Sequence, residues 1–194
     1  MNLCLGQNFD GKWILTKNND TYLVPKINLF EFKEGKLISY DLEKTLFTHN
    51  YRLTENEIFV EEKLFGSFKF INENRFTLFN KNEQGNTEVD FVRLEKTKTE
   101  LTEKEIEKLI FENSESKFKI AFNVELQKPI LLEISKGKYS KKMQLKKIDE
   151  TYFIFNYEDG ELDFIIPIKE VTNEFIEIYG FSRKEPYSLK LLSI

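Results

Sequence analysis

One succession of residues runs through this chain twice, about 100 positions apart, and that ordering constrains the fold more than any single segment does. Gly11-Lys12-Trp13 is matched by Ser116-Lys117-Phe118, and Phe30-Glu31-Phe32-Lys33-Glu34-Gly35-Lys36 by Leu132-Glu133-Ile134-Ser135-Lys136-Gly137-Lys138. Asn74-Arg75-Phe76 is matched by Asn173-Glu174-Phe175, and Phe91-Val92-Arg93-Leu94 by Ser188-Leu189-Lys190-Leu191. A repeat that keeps its order over this spacing implies two related modules, and 194 residues divide into two units within the usual domain range.

Within each module apolar and polar residues alternate with period two. Phe30 and Phe32 bracket Glu31, Phe68 and Phe70 bracket Lys69, and Phe118, Ile120 and Phe122 bracket Lys119 and Ala121, as in half-buried antiparallel strands. Turn signals interrupt the pattern at short intervals. Glu34-Gly35, Asn72-Glu73-Asn74, Gln84-Gly85-Asn86, Lys136-Gly137 and Asp159-Gly160 all suit tight turns that need positive φ. The spacing predicts strands near 12–17, 26–33, 36–41, 48–52, 57–63, 66–71, 75–80 and 88–94 in the first module. In the second it predicts them near 117–122, 129–135, 138–147, 151–157, 161–167, 174–179 and 187–192. Short sequential strands close most simply into an up-and-down barrel, because closure removes the exposed edges. The predicted fold is therefore mainly β: tandem antiparallel up-and-down barrel-like modules over 1–98 and 116–194, joined by one short helix in an acidic connector over 99–115.

The helix is predicted from its start signal. Thr102 and Glu105 have the spacing of a capping box, with Leu101 and Ile106 at the two staple positions. Ile106, Leu109 and Ile110 then form one apolar stripe that would dock on a core. From Thr99 to Glu115 there are six acidic and two basic side chains, so this segment carries the whole net charge of −4 and the two β modules nearly cancel.

That small net charge, from 29 basic and 33 acidic side chains, gives no general attraction to nucleic acid or to an anionic membrane. A single cysteine, Cys4, allows no intramolecular disulfide or cysteine cluster, which fits a reducing compartment. Residues 1–7 lack the charge and length of a signal peptide, and no apolar run approaches the ~20 residues of a membrane span. The expectation is a soluble, cytoplasmic protein. The alternative is a leader or lipoprotein signal already removed, with Cys4 as the residue left behind.

Gly11-Lys12-Trp13 at the start of the first predicted strand, with Arg93 on the last strand of the same module, resembles the lipocalin signature of Gly-x-Trp with a late arginine. An indole closing one barrel end and a guanidinium lying over it combine apolar burial with a cation–π contact. Residues 9–96 look like a compact bacterial lipocalin-like domain, and 116–194 like a diverged second copy with Phe118 and Lys190 in the two signature places. The resemblance implies a β-barrel and non-catalytic binding. Phe30, Phe32, Phe68 and Phe70 are then the candidate contacts for a small apolar ligand, although a barrel this rich in phenylalanine largely fills itself.

Other constellations carry less chemistry. His49, between Thr48 and Asn50, is the only histidine, too few for a typical zinc or acid–base site, so it reads as a surface residue of the barrel rim. Glu61 and Glu62, read as adjacent strand residues, would point to opposite faces and not share one task. The acidic stretch from Glu158 to Asp163 reads as a hairpin around Asp159-Gly160 before it reads as a calcium loop. Lys136, Lys138, Lys141, Lys142, Lys146 and Lys147 form the most polarised segment, either as a basic docking face or as an edge strand that lysine protects from pairing.

No recognisable catalytic motif, cofactor motif or metal set emerges. The expectation is a non-catalytic cytoplasmic binding protein that occludes a protein partner, such as a toxin or enzyme, as inhibitor or immunity proteins do. Its contacts would be a helix face around Glu103, Glu107 and Glu112 or the lysine strand around Lys141 and Lys142. The alternative is a lipocalin-like carrier of a small apolar ligand.

Overall fold

A computed structural model describes residues 8–22, 29–41, 44–82, 85–115, 118–132, 135–181, 185 and 187–194. The strands that the alternation predicts form, and they fall into two compact units: residues 1–95 with 181–184, and residues 96–180 with 185–194.

The first unit contains β1 (Gly11–Asn18), β2 (Thr21–Tyr22), β3 (Leu29–Lys33), β4 (Lys36–Asp41) and β5 (Lys44–Leu53). It continues with β6 (Glu57–Val60), β7 (Lys63–Asn72), β8 (Arg75–Asn82) and β9 (Gly85–Leu94). Each strand pairs antiparallel with its successor from β3 to β9, and β1 pairs with both β3 and β9. Eight strands thus close into a barrel, with β2 a two-residue return on the end of β1. Inward positions supply the core: Trp13, Leu15, Phe32, Leu37, Ile58, Phe68, Phe76, Leu78, Val89 and Phe91. The outward side of β1, β3, β8 and β9 is buried as well, at Ile14, Leu29, Val92 and Leu94. Lys12 lies 3.6 Å from Glu31, and Asp90 accepts hydrogen bonds from Arg75 and Thr77, both at 2.6 Å.

The second unit is an eight-stranded antiparallel sheet in the order β11-β10-β17-β16-β15-β14-β13-β12. Its strands are β10 (Ile110–Glu112), β11 (Lys119–Ala121), β12 (Glu125–Leu132), β13 (Ser135–Ile148), β14 (Thr151–Glu158), β15 (Glu161–Val171), β16 (Phe175–Gly180) and β17 (Tyr187–Ser193). The edge strands β11 and β12 are consecutive in the chain, and a bridge between Phe122 and Met143 draws the two edges together, so this barrel is nearly closed. Its core joins Phe111, Ile120, Phe122, Met143, Leu145, Ile154, Ile168, Ile176, Ile178 and Leu191.

Several details differ from the sequence expectation. The capping box of Thr102 and Glu105 forms, but the helix α1 spans only Glu103–Ile106. Ile106 packs in the core as expected, whereas Ile110 leaves the apolar stripe and opens β10, opposite Ala121. The connector thereby supplies a strand, and β10 stands between β17 and β11 where the first barrel pairs its last strand directly with its first. Strand β13 lies between β12 and β14, so its lysines are not those of a protected edge. Gly137 sits within β13, paired with Ile130, and not at the predicted turn. The Asp159-Gly160 hairpin forms with φ of 49° and 85°, as a type I′ turn requires. Cys4 and the predicted strand start at 26–28 lie outside the described residues.

Candidate functional site

The two ends of the first barrel are built differently. At the end where β1 begins, Trp13 and Arg93 are direct partners across the β1–β9 seam. The indole is fully buried, and the guanidinium carbon lies 4.3 Å from its centroid. Arg93 donates to the carbonyls of Asn8 and Asp10 and, at 3.3 Å, of Glu73, while Trp13 Nε1 donates to the Phe9 carbonyl at 2.7 Å. Burial pushes the guanidinium pKa down, against the opposing pull of Asp10 and Glu73. Phe9, which sequence reading leaves in the lead-in, is the plug: its ring meets those of Phe32, Phe68, Phe70 and Phe76 at centroid distances of 4.6 to 5.1 Å. Three of the four predicted ligand contacts are therefore packed around one ring of the protein itself. The fourth, Phe30, lies apart from them against Phe91 at 5.7 Å.

The opposite end carries the β6–β7 turn. Glu61 and Glu62 are its two central residues, between the paired Val60 and Lys63, and both adopt left-handed backbone with φ of 47° and 62°. They are turn residues and not strand neighbours. A type I′ turn favours Asn-Gly, and two side chains with Cβ in this region are strained. The turn is held by its surroundings: the Glu61 carboxylate accepts from the Asn50 backbone N–H at 2.7 Å and from its side-chain amide at 3.3 Å, and the Glu61 N–H donates to the Asn50 carbonyl. His49 Nδ1 stands 3.4 Å from the same carboxylate. The Asn50 N–H is the main cause that holds the Glu61 carboxyl below the usual carboxylate range.

Around that fixed turn sit anchors of the kind that interfaces use. Phe47, 37% exposed, lies against His49 with ring centroids 4.8 Å apart and planes tilted by 39°. Leu64, 58% exposed, pairs across the strands with Phe59, and Arg52 lies over the Phe59 ring at 4.3 Å while reaching Glu62 at 3.6 Å. A groove of about 570 Å³ is lined by the ring of Phe79 together with polar side chains that include Asn19, Asp20, Ser67, Asn86 and Thr87.

The two alternative sets of charged residues proposed from sequence lie on separate elements. Glu103 is exposed on α1, Glu107 lies just past α1 and accepts from Asn123 at 2.8 Å, and Glu112 lies on β10 opposite Lys119. Lys141 and Lys142 point to opposite faces of β13: Lys141 towards Phe164 at 5.8 Å, Lys142 on the side of its partner Tyr157. Lys146 shares the second face and lies over Phe155 at 4.8 Å, where burial pushes its pKa down. Among the described residues no three His, Cys, Asp or Glu side chains come together as a metal set, and no helix is long and apolar enough to cross a membrane.

These features define a tandem antiparallel β-barrel protein with one sealed barrel end and one structured rim. No protein-family model, no curated protein and no solved structure matches the chain.

Proposed function

We propose that this chain is a non-catalytic binding protein of the cytoplasm that neutralises a protein partner by covering part of its surface, in the manner of an inhibitor or immunity protein. The observation that carries this reading is the rim of the first barrel. A strained two-glutamate turn, locked by Asn50, leads into Leu64, touches the Arg52–Phe59 pair through Glu62, and through Glu61 reaches His49, against which Phe47 lies. Aromatic and arginine side chains dominate binding energy in interfaces, and backbone strain concentrates where a ligand is clamped. The partner surface would be basic, to meet Glu61 and Glu62, with apolar hollows for Leu64 and Phe47. Capture from the native host's lysate tests this. Wild-type protein is expected to retain a protein that Leu64→Asp and Phe47→Ser lose at unchanged melting temperature; retention by both variants would refute the rim.

A second reading, a lipocalin-like carrier of a small apolar ligand, draws support from the Trp13–Arg93 pairing and from Phe30 and Phe47 on inward positions that remain partly exposed. The packing of Phe32, Phe68 and Phe70 around Phe9 favours the protein-binding reading over it.

A further inference from the structure

Inside the second barrel one polar side chain has only half of its hydrogen bonding met. Asn156 lies on β14 two residues beyond Ile154, opposite Met143 on β13 and Phe164 on β15. Ile154 and Met143 belong to the apolar core, so the alternation of the strands turns Asn156 to the same interior. The residue is 0% exposed.

Its amide orientation is settled by a neighbour. Nδ2 donates to Asp163 Oδ2 at 3.2 Å, and the flipped amide would press a carbonyl oxygen against that carboxylate. Oδ1 is therefore the atom left over, and no donor among the described residues reaches it. A buried acceptor without a donor is costly, and native folds rarely keep one without a use.

The backbone is modified at the same place. The β14–β15 register shifts between Asn156 and Tyr157, so that Asp163 has no residue opposite it. Such a bulge re-aims a side chain, and here it lets Asp163 reach an interior amide from a position that regular alternation, with Phe164 facing inward, would turn outward. Beside the pair stand the half-buried Phe164 ring and Lys141, whose Nζ lies 5.8 Å from that ring. The barrel is thus apolar at Met143 and Phe122, aromatic at Phe164, and offers one fixed acceptor between them.

We infer that this is a ligand site: a small, mainly apolar molecule bearing one hydroxyl or N–H donor enters the second barrel, gives its hydrogen to Asn156 Oδ1 and lays its apolar part on Phe164 and Met143. The inference is independent of the rim on the first barrel and stands or falls without it.

Matched probes test it on the intact protein by NMR titration: phenol against anisole, indole against N-methylindole, and 1-octanol against its methyl ether. Each pair keeps its apolar part and differs in the donor. At least one donor is expected to bind saturably, shift the Asn156 side-chain amide resonance and bind tenfold or more tightly than its methylated partner. Asn156→Leu is expected to erase that preference. The wild-type comparison decides the matter even where the variant does not fold. Equal binding within every pair, no binding by any donor, or a response confined to a resident water on Asn156 would each overturn the assignment.

Discussion

Arg93 lies over the indole of Trp13 from the directly opposite position on the neighbouring strand, at the seam where the first barrel closes. The same guanidinium ties down the carbonyls of Asn8, Asp10 and Glu73, so one side chain fastens the lead-in, the seam and the β7–β8 turn. Arg93→Ala is expected to cost about 2 kcal/mol in urea unfolding, from a lost cation–π contact and several charge-assisted hydrogen bonds. Trp13 is the only tryptophan, so its emission should shift to the red as the lid loosens. Arg93→Lys restores the charge but not the fork, and should recover only part of the loss.

Asp90 and Arg75 are a different case, because both side chains are almost wholly buried at 4% and 10% exposure. Asp90→Ala takes the carboxylate from a buried cation and leaves the Thr77 hydroxyl without that acceptor, so a loss of about 3 kcal/mol is expected. Removing both charges with Arg75→Met and Asp90→Leu should cost less than Asp90→Ala alone. Chemical denaturation of the three variants gives the comparison.

Relief of the strained rim turn separates stability from binding. Glu62→Gly suits a φ of 62° and should raise stability by about 1 kcal/mol, since only an exposed contact with Arg52 is lost. Partner capture should weaken in the same variant, because the turn no longer holds Leu64 and Arg52 rigidly. A more stable protein with unchanged capture would detach the strain from function.

The Glu61 carboxylate also predicts an acid response. Its pKa is lower folded than unfolded, chiefly through the Asn50 N–H, so the stabilisation is present above the unfolded carboxylate value. It is lost as pH falls through the lower folded value. The urea midpoint of Glu61→Gln should therefore fall less steeply than that of wild type over this acid range, and parallel curves would show that the contact contributes nothing.

The strand rhythm was legible because Phe30, Phe32, Phe68 and Phe70 mark inward positions at period two, and the seam because Trp13 and Arg93 hold matching places on first and last strands. Strand β10 was not. Ile106, Leu109 and Ile110 fit a helical stripe, three strand residues carry no period of their own, and pairing with Lys119 and Leu192 decided their state. The Glu61-Glu62 turn contains neither Gly nor Asn, and the group that holds it, Asn50, is eleven residues away. Asn156 directly follows the run Tyr152-Phe153-Ile154-Phe155, where its amide looks incidental until the bulge at Asp163 is seen.

The strand drawn from the connector sets when the second barrel can finish during synthesis. The first closes once β9 has left the ribosome, because β1 needs nothing further downstream. In the second, β10 waits for β17, the final strand of its unit, as β1 waits for β9, and until then its edge is bare to any neighbouring nascent chain. Slow translation ahead of Tyr187 should therefore lower the yield of native protein through the second barrel while sparing the first.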